Sequence, residues 1–311
     1  MAAHFRSAYL PDLTYPSPVR THDRMIYLLA IGSAVLYGAA DFTGGFTTRR
    51  AGAIPIVILS QFSGLILVAL MLPFLPHSIP ARPDLLWGAV AGLTGGIGVA
   101  LLYRALAIGT MAVVAPTTAV CAVTIPVVAS VLLGERPSPV ATAGIVLGIV
   151  SIVLVSHQAA AESGRGAPLR SGRYPPGVGT ALASGVAIGL FFLSLAQAGS
   201  EAGMWPLLMA RVVSVGLFAL AALVSLRSMR MPASVAALAI VCGVTDMLAN
   251  ALYLLAAQRG PLSIVVTLSS LYPASTVLLA RVVLGERLNQ WQVSGVGCAL
   301  AAVLLIVSGS H

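Results

Sequence analysis

The polar residues of this chain that could bind a solute lie inside long runs of apolar sequence. Asp246, Asn250 and Tyr253 recur at i, i+4 and i+7, which places them on one face of a helix. A carboxylate and a carboxamide one turn apart can hydrogen-bond the same ligand. An aspartate near the centre of a membrane span costs about 2.5–3.5 kcal/mol to insert, so it usually faces a protein interior or a water-filled cavity. We therefore predict that this face lines a binding cavity.

A second polar face lies in the first apolar run, where Ser33, Tyr37, Asp41 and Gly44 recur at i, i+4, i+8 and i+11. Asp41 is nearer the end of its run than Asp246, so a position at the membrane interface is an open alternative for it. A third polar side chain, Arg211, lies a few residues into another apolar run, where it could pair with a carboxylate. The predicted substrate-binding residues are Asp246, Asn250, Asp41, Tyr37, Tyr253 and Arg211, with Gln61 and Gln197 as minor candidates.

Asp246 admits two chemical roles. Desolvation disfavours the charged form of a carboxylate, so Asp246 could take up a proton or a cationic group and exchange one for the other. An ion pair with Arg211 would instead keep it ionised. The first hypothesis, in which a coupling proton is a partner of the protein, predicts that Asp246→Asn removes pH-dependent or cation-selective transport and leaves the fold intact.

The elements that position these residues must lie in a lipid bilayer. Hydrophobic residues make up 58% of the chain and charged residues 8%, whereas about 25% of a soluble domain is charged. The apolar runs are each near the ~20 residues that cross a bilayer as helix, and helix satisfies the backbone in lipid. We place ten runs, at Ile26–Phe46, Ile54–Leu75, Leu85–Ile108, Ala112–Leu133, Pro139–Val155, Val178–Ala198, Pro206–Leu226, Ser234–Ala257, Pro261–Leu284 and Trp291–Val307.

Composition and motifs exclude several classes of function. The net charge of +8 comes from arginines in the N-terminal tail and between apolar runs, and no basic stripe with interleaved aromatics indicates a nucleic-acid partner. All five histidines lie outside the apolar runs, and HExxH, GxSxG and P-loop motifs are absent from the sequence. The three cysteines lie in apolar runs and indicate packing. We therefore expect neither an enzyme nor a metal or cofactor site.

The sequence repeats itself at a constant offset. The phrase LGER occurs twice, so that Gly134 corresponds to Gly285 and Glu135 to Glu286, an offset of 151 residues. The same offset threads all five apolar runs of each half without a gap. Because five is odd, the second half must enter the membrane from the opposite side. We therefore predict two inverted five-helix repeats, at 26–156 and 178–308, joined by a polar linker at 157–177 and preceded by a disordered tail at 1–25.

The polar candidates break this symmetry. The offset matches Asp41 with Phe192 and Asp246 with Gly95, so the carboxylates have no copies in the other half. A cavity shaped for one substrate would have this property, and divergence of unconstrained positions is the alternative. Inverted repeats typically hold their substrate at the repeat interface near the membrane midplane.

Prolines interrupt corresponding helices of the two halves, at Pro116 and Pro126 in the fourth run and Pro273 in the ninth. Each removes a backbone hydrogen bond, and interrupted helices at matching places of inverted repeats point to a binding site. Proline is also simply tolerated in membrane helices. We predict that these helices line the cavity near Pro126 and Pro273.

Two further motifs indicate structure rather than chemistry. A glycine at the end of the fourth and ninth helices can adopt the left-handed conformation, which leaves Glu135 and Glu286 near the positive end of the next helix. A stripe of Gly88, Gly92 and Gly96 indicates close helix packing.

The layout of ten helices in two repeats resembles the EamA-type transporters of the drug/metabolite transporter superfamily. The strongest similarity is in Leu271–Gly309, where Pro273, Gly285, Glu286, Gln292 and Gly295 fill the family's positions. In the first half Ala122 stands where Pro273 stands in the second. The resemblance implies a solute carrier with both termini in the cytoplasm.

We therefore predict an all-α integral membrane protein with ten transmembrane helices in two inverted five-helix repeats. Its predicted function is secondary-active transport of a small metabolite or drug across the plasma membrane by alternating access, as an exporter. The alternative is a flippase for a lipid-linked metabolite. A non-transporting membrane scaffold ranks third, because buried carboxylates argue against it.

Overall fold

The computed structural model of the chain describes residues 21–74, 79–132, 138–140, 142–151, 176–199, 202–225, 231–257, 259, 265, 268–286 and 290–308. Regular structure in these ranges is helical, and no strand occurs among them. The helices are α1 Thr21–Ala51, α2 Ala53–Met71, α3 Arg82–Ile108, α4 Met111–Leu132, α5 Thr142–Ser151, α6 Val178–Ala196, α7 Trp205–Ser225, α8 Ala233–Ala257, α9 Tyr272–Leu284 and α10 Gln290–Ser308.

Six of these helices, α1, α2, α3, α6, α7 and α8, are long and apolar enough to cross a membrane. The others contain shorter apolar stretches, such as Thr142–Ser151 in α5. The prediction of an all-helical membrane protein is therefore confirmed, whereas the count of ten spans is not confirmed by the described residues. Parts of the predicted fifth and ninth runs, such as residues 152–155 and 261–264, lie outside the described residues.

Helix α1 extends beyond its apolar run at both ends. It begins at Thr21, inside the segment predicted to be a disordered tail, and it ends at Ala51. The reason is that bilayer thickness sets the length of the apolar stretch, whereas a helix can continue into the polar interface. Residues 1–20 and most of the predicted linker, 157–175, lie outside the described residues. The description resumes at residue 176, in a turn where Gly177 has φ 90°.

The main helix contacts join the two repeats. Helix α1 packs on α8 as α6 packs on α3, α2 packs on α8 as α7 packs on α3, and α1 packs on α9 as α6 packs on α4. Each contact becomes its counterpart when the offset of 151 residues exchanges the two halves. The two five-helix halves are therefore interlocked rather than side by side.

One contact breaks this symmetry. Helix α1 packs closely on α3, because Gly44 and Gly45 leave room for Tyr103 and Leu106. The equivalent pair in the second half, α6 and α8, makes at most a marginal contact within the described residues. The bundle is therefore more tightly closed where α1 ends than at the corresponding place of the second repeat.

The glycine stripe on α3 brings two helices into backbone contact, as its spacing predicts. Gly88, Gly92 and Gly96 lie against residues of α7, and a Cβ atom added to Gly92 would lie 2.3 Å from the carbonyl oxygen of Ala210. Gly243, the repeat equivalent of Gly92, lies against α2, where an added Cβ would be 1.9 Å from the carbonyl oxygen of Ser60. Only glycine allows these helices to approach so closely.

Glu286 has a structural role, but it contacts a different helix from the one predicted. Gly285 ends α9 in the left-handed conformation, with φ 65°. The Glu286 carboxylate then accepts hydrogen bonds from the backbone N–H groups of Met111 and Ala112, both at 3.2 Å, and lies 3.6 Å from Arg49 Nη2. It therefore caps α4 of the other repeat, because the packing of the helices places the end of α9 beside the start of α4. The predicted position near the next helix involves residues 287–289, which lie outside the described residues.

Removal of this cap is expected to destabilise the protein. Glu286→Ala leaves two N–H groups of α4 without their acceptor, so we expect a loss of about 1–2 kcal/mol of unfolding free energy. Glu286→Gln keeps one acceptor oxygen and the side-chain shape, and should lose about half as much. Thermal unfolding of the detergent-solubilised protein measures both. Equal melting temperatures for the alanine variant and the wild type would contradict the capping role.

Candidate functional site

A cluster of polar side chains joins α2, α7 and α8. This polar cluster consists of Gln61, Arg211, Ser214, Asp246 and Asn250. One guanidinium nitrogen of Arg211, Nη2, donates to Asp246 Oδ2, and the other, Nη1, donates to Gln61 Oε1. Ser214 Oγ donates to the same Gln61 oxygen at 3.1 Å. The cluster therefore holds Arg211 between a carboxylate of its own repeat and a carboxamide of the other.

The glycines described above position this cluster. Gly243 sets α8 against α2 at Ser60, the residue before Gln61. On the next turn of α2, a Cβ atom added to Gly64 would lie 3.3 Å from the carbonyl oxygen of Gly243 and 3.8 Å from Arg211 Cζ. Because these positions lack side chains, the three helices are close enough for Arg211 to reach both of its partners.

The Arg211–Asp246 pair is largely removed from solvent. The side chain of Arg211 is 9% exposed and that of Asp246 is 20% exposed. Withdrawal of two charges from water costs free energy that their attraction and further hydrogen bonds must offset. Of the two alternatives for Asp246, the structure therefore shows the second, an ion pair with Arg211.

Asn250 contacts Asp246 rather than pointing to a separate site. Its Nδ2 atom donates to the backbone oxygen of Asp246 at 2.8 Å and lies 3.5 Å from Asp246 Oδ2. The predicted i, i+4 relation of these two residues on one helix face is therefore present. Tyr253, at i+7, packs partly buried against Ile26 and Ala30 near the start of α1.

Helix α1, which contains Tyr37 and Asp41, packs against the part of α8 that contributes to this cluster. Cys242 Sγ donates to the carbonyl oxygen of Ala40 at 3.3 Å, and Gly32 lies against Leu252. The two helices are therefore antiparallel, with residues 32–40 of α1 beside residues 242–252 of α8. Asp246 and Asn250 lie within that stretch of α8, and Tyr37 lies within the facing stretch of α1.

Asp41 differs from Asp246 in its contacts. It is half-buried, and no hydrogen bond or ion pair engages its carboxylate among the described residues. Its helix packs on α8, α9, α3 and α2, and Asp41 lies off the face of α1 that exposes Leu28, Ile31 and Val35. The structure thus brings Asp41, Tyr37, Arg211, Asp246 and Asn250 into one region.

Three residues near the site have no clear signal in the sequence. The ring of Tyr272, at the start of α9, meets the ring of Tyr37 edge to face at 6.3 Å between centroids. The hydroxyl of Tyr103 on α3 lies 3.1 Å from Cys242 Sγ. Ser214 follows Arg211 by three residues. A tyrosine or serine in an apolar run is common in membrane helices, and only the packing of other helices places these three beside the carboxylates.

The two proline helices behave differently. Pro273 is buried in the first turn of α9, and the chain turns at Ser270–Leu271 before it. Helix α4 continues through Pro116 and Pro126 and does not end at either. The side chain of Pro126 lies outside the described residues. Residues Met111–Val120 of α4 are buried throughout, so α4 lies inside the bundle, and its lining of a cavity stays a prediction.

Comparisons with known proteins agree with this fold. The model of the EamA-like transporter family matches residues 24–157 and again residues 175–308. A solved chain described only as "Crystal structure of protein" is 18% identical, with a TM-score of 0.60 over 90% of this chain and 95% of that one. That likeness shows the fold alone. A search of curated proteins gives no significant match.

Proposed function

This chain belongs to the EamA-like transporter family, and we propose that it is a secondary-active transporter that moves a small metabolite or drug by alternating access. The observation that supports this most directly is the polar cluster. Charged and polar side chains of both repeats meet inside an apolar helix bundle. Burial of such groups in a membrane costs free energy, and they are typically found there at functional sites. Repeat interfaces of this kind hold the substrate in inverted-repeat transporters.

The unequal closure of the two repeats supports alternating access. The contact of α1 with α3 at Tyr103 and Leu106 has no equally close equivalent between α6 and α8 in the described residues. In an inverted repeat, equivalent contacts lie toward opposite sides of the membrane. An exchange of the closed and open contacts between repeats would therefore open the site to the other side.

We further propose that the coupling ion is a proton and that the protein exports its substrate across the plasma membrane, with both termini in the cytoplasm. The region of the site contains two carboxylates and one guanidinium, so one negative charge is left over. A proton can neutralise that charge when no substrate is present. In a membrane that maintains a proton gradient, the protein could then exchange protons for substrate.

Transport by purified protein tests this proposal. Proteoliposomes with an imposed pH gradient are incubated with a panel of radiolabelled amino acids, amines, sugars and nucleosides. We expect at least one solute to accumulate only when the gradient is present, and Arg211→Gln to remove that accumulation. Arg281→Gln, which removes an exposed arginine on α9, a helix that contributes no residue to the polar cluster, is the matched control and should transport normally. Gradient-independent uptake, or no uptake by the wild type, would contradict the proposal.

A further inference from the structure

The charges inside the bundle do not balance. Arg211 is engaged by Asp246 and Gln61, so its positive charge is already compensated. Asp41 has no such partner among the described residues. A carboxylate in an apolar interior without a counter-charge is costly, and it is retained where it binds something.

The groups around Asp41 do not supply the missing positive charge. The side chains on the adjoining turns are Tyr37 on its own helix, Cys242 and Asp246 on α8, Tyr103 on α3 and Tyr272 on α9. None of them is a cation. Helices α2 and α4, which also pack on α1, contain no charged residue, and the arginines in the second half of α3 and in α9, Arg104 and Arg281, are exposed. The surroundings therefore combine a second carboxylate with aromatic rings.

That combination suits one kind of ligand. The rings of Tyr37 and Tyr272 meet edge to face beside the α1 helix that carries Asp41. Aromatic faces and a carboxylate together bind ammonium groups, because the ring quadrupole and the negative charge attract the same cation. An anionic ligand would instead be repelled by the Asp41 carboxylate, whose charge no arginine offsets among the described residues.

We propose that the substrate is an organic cation, such as an amine or a quaternary ammonium compound, and that Asp41 is its counter-ion, with Tyr37 and Tyr272 as aromatic neighbours. This inference rests on the proposed transport function and names the class of its substrate. The carboxylate holds a proton when the cation is absent and releases it when the cation binds. Asp246 does not fill this role, because Arg211 already neutralises it and would repel a second cation.

The repeat supports a single site per chain. The offset matches Asp41 with Phe192, Tyr37 with Ile188 and Tyr272 with Cys121. None of these three residues therefore has a copy at the equivalent position of the other half. A substrate moved between two sides of the membrane would meet the same lone carboxylate in both states.

Ligand binding to the purified protein tests the proposal. The probes are two matched pairs, choline with 3,3-dimethylbutan-1-ol and 2-phenylethylamine with 2-phenylethanol, in which the members differ mainly in charge. Calorimetric titration is carried out on wild type, Asp41→Asn and Asp41→Glu. For at least one pair we expect the wild type to prefer the cation by about tenfold. Asp41→Asn should lose that preference, and Asp41→Glu should keep most of it.

The pH dependence of binding gives a second readout. Because a proton and the cation compete for one carboxylate, the wild-type Kd for the cation should rise as the pH falls, and the Kd of Asp41→Asn should not. Tyr272→Leu removes a ring at constant charge and should weaken cation binding while keeping the pH dependence. These variants decide the matter even if Asp41→Asn folds poorly.

Two results would overturn the inference. One is a wild type without preference for the cation in both pairs, including no binding at all. The other is an undiminished preference in folded Asp41→Asn. Gradient-driven uptake of a neutral or anionic solute by such a wild type would leave the transport function standing and refute only the cation. If the wild type moves no solute, the transport function itself fails.

Discussion

Asp246→Asn is expected to abolish transport and to lower the unfolding free energy by about 3 kcal/mol, because it leaves the buried guanidinium of Arg211 without a counter-ion. The asparagine keeps the shape of the side chain, so lost packing cannot account for such an effect. The sequence alone predicted an intact fold for this variant, and the ion pair reverses that expectation. Thermal unfolding in detergent and uptake by proteoliposomes at equal protein content measure the two consequences.

A double substitution separates the effect of an uncompensated buried charge from the effect of losing the Arg211–Asp246 ion pair. Arg211→Gln alone should also destabilise the protein, because it leaves Asp246 charged and unpaired. Combined with Asp246→Asn, it should recover most of the stability, since no uncompensated charge remains. Transport should stay lost in the double variant if the pair is part of the site. Additive losses of stability in the double variant would show that the two side chains do not depend on each other.

Gly243→Ala is expected to have a second large effect. A methyl group at this position would lie 1.9 Å from the carbonyl oxygen of Ser60, which is backbone and cannot rotate away. Helices α2 and α8 must then separate, at a cost of about 3 kcal/mol or more. Separation would also draw Gln61 and Asp246 away from Arg211. We therefore expect a lower melting temperature and a loss of transport together.

Gly216→Ala in α7 is the matched control for this prediction. No atom lies within 4 Å of the methyl group that it adds. Alanine favours helix over glycine by about 1 kcal/mol, so this variant should be as stable as the wild type or slightly more so. Gly92→Ala, at the repeat equivalent of Gly243, should resemble Gly243→Ala. Equal stability of Gly243→Ala and Gly216→Ala would contradict the close approach of α2 and α8.

The two carboxylates of the site have different expected roles. Asp246 maintains the arrangement of α2, α7 and α8 through Arg211, so its loss should affect stability and transport alike. Asp41 has no ion-pair or hydrogen-bond partner among the described residues. Its replacement by asparagine should therefore leave the unfolding free energy unchanged or raise it, while changing which ligands bind. Comparison of stability and binding for the two asparagine variants therefore separates a positioning residue from a ligand-binding one.

The sequence by itself determined the class of protein, its repeat and its family resemblance. Apolar runs of membrane-spanning length, the LGER phrase at a constant offset and the Gly88–Gly92–Gly96 stripe are properties of short segments or of their spacing. Each follows from local chemistry, because the backbone must form a helix in lipid and because glycine allows two helices to pack closely. The candidate residues Asp246, Asn250 and Arg211 were identified for the same reason. A charged or strongly polar side chain in an apolar run can be recognised without knowing which residues surround it in space.

Only the tertiary structure decided which of these residues contact each other. Arg211 is 35 residues from Asp246 and 150 from Gln61, and Glu286 caps a helix that begins 175 residues earlier. Such contacts depend on the crossing and depth of helices that meet through glycines, which no local pattern encodes. The same packing left Asp41 without a hydrogen-bond or ion-pair partner in the part of the chain that the structure describes, and it placed Tyr272 beside Tyr37. The physical reason is that a charge's role depends on its counter-charge, and in a helix bundle the counter-charge comes from a distant segment.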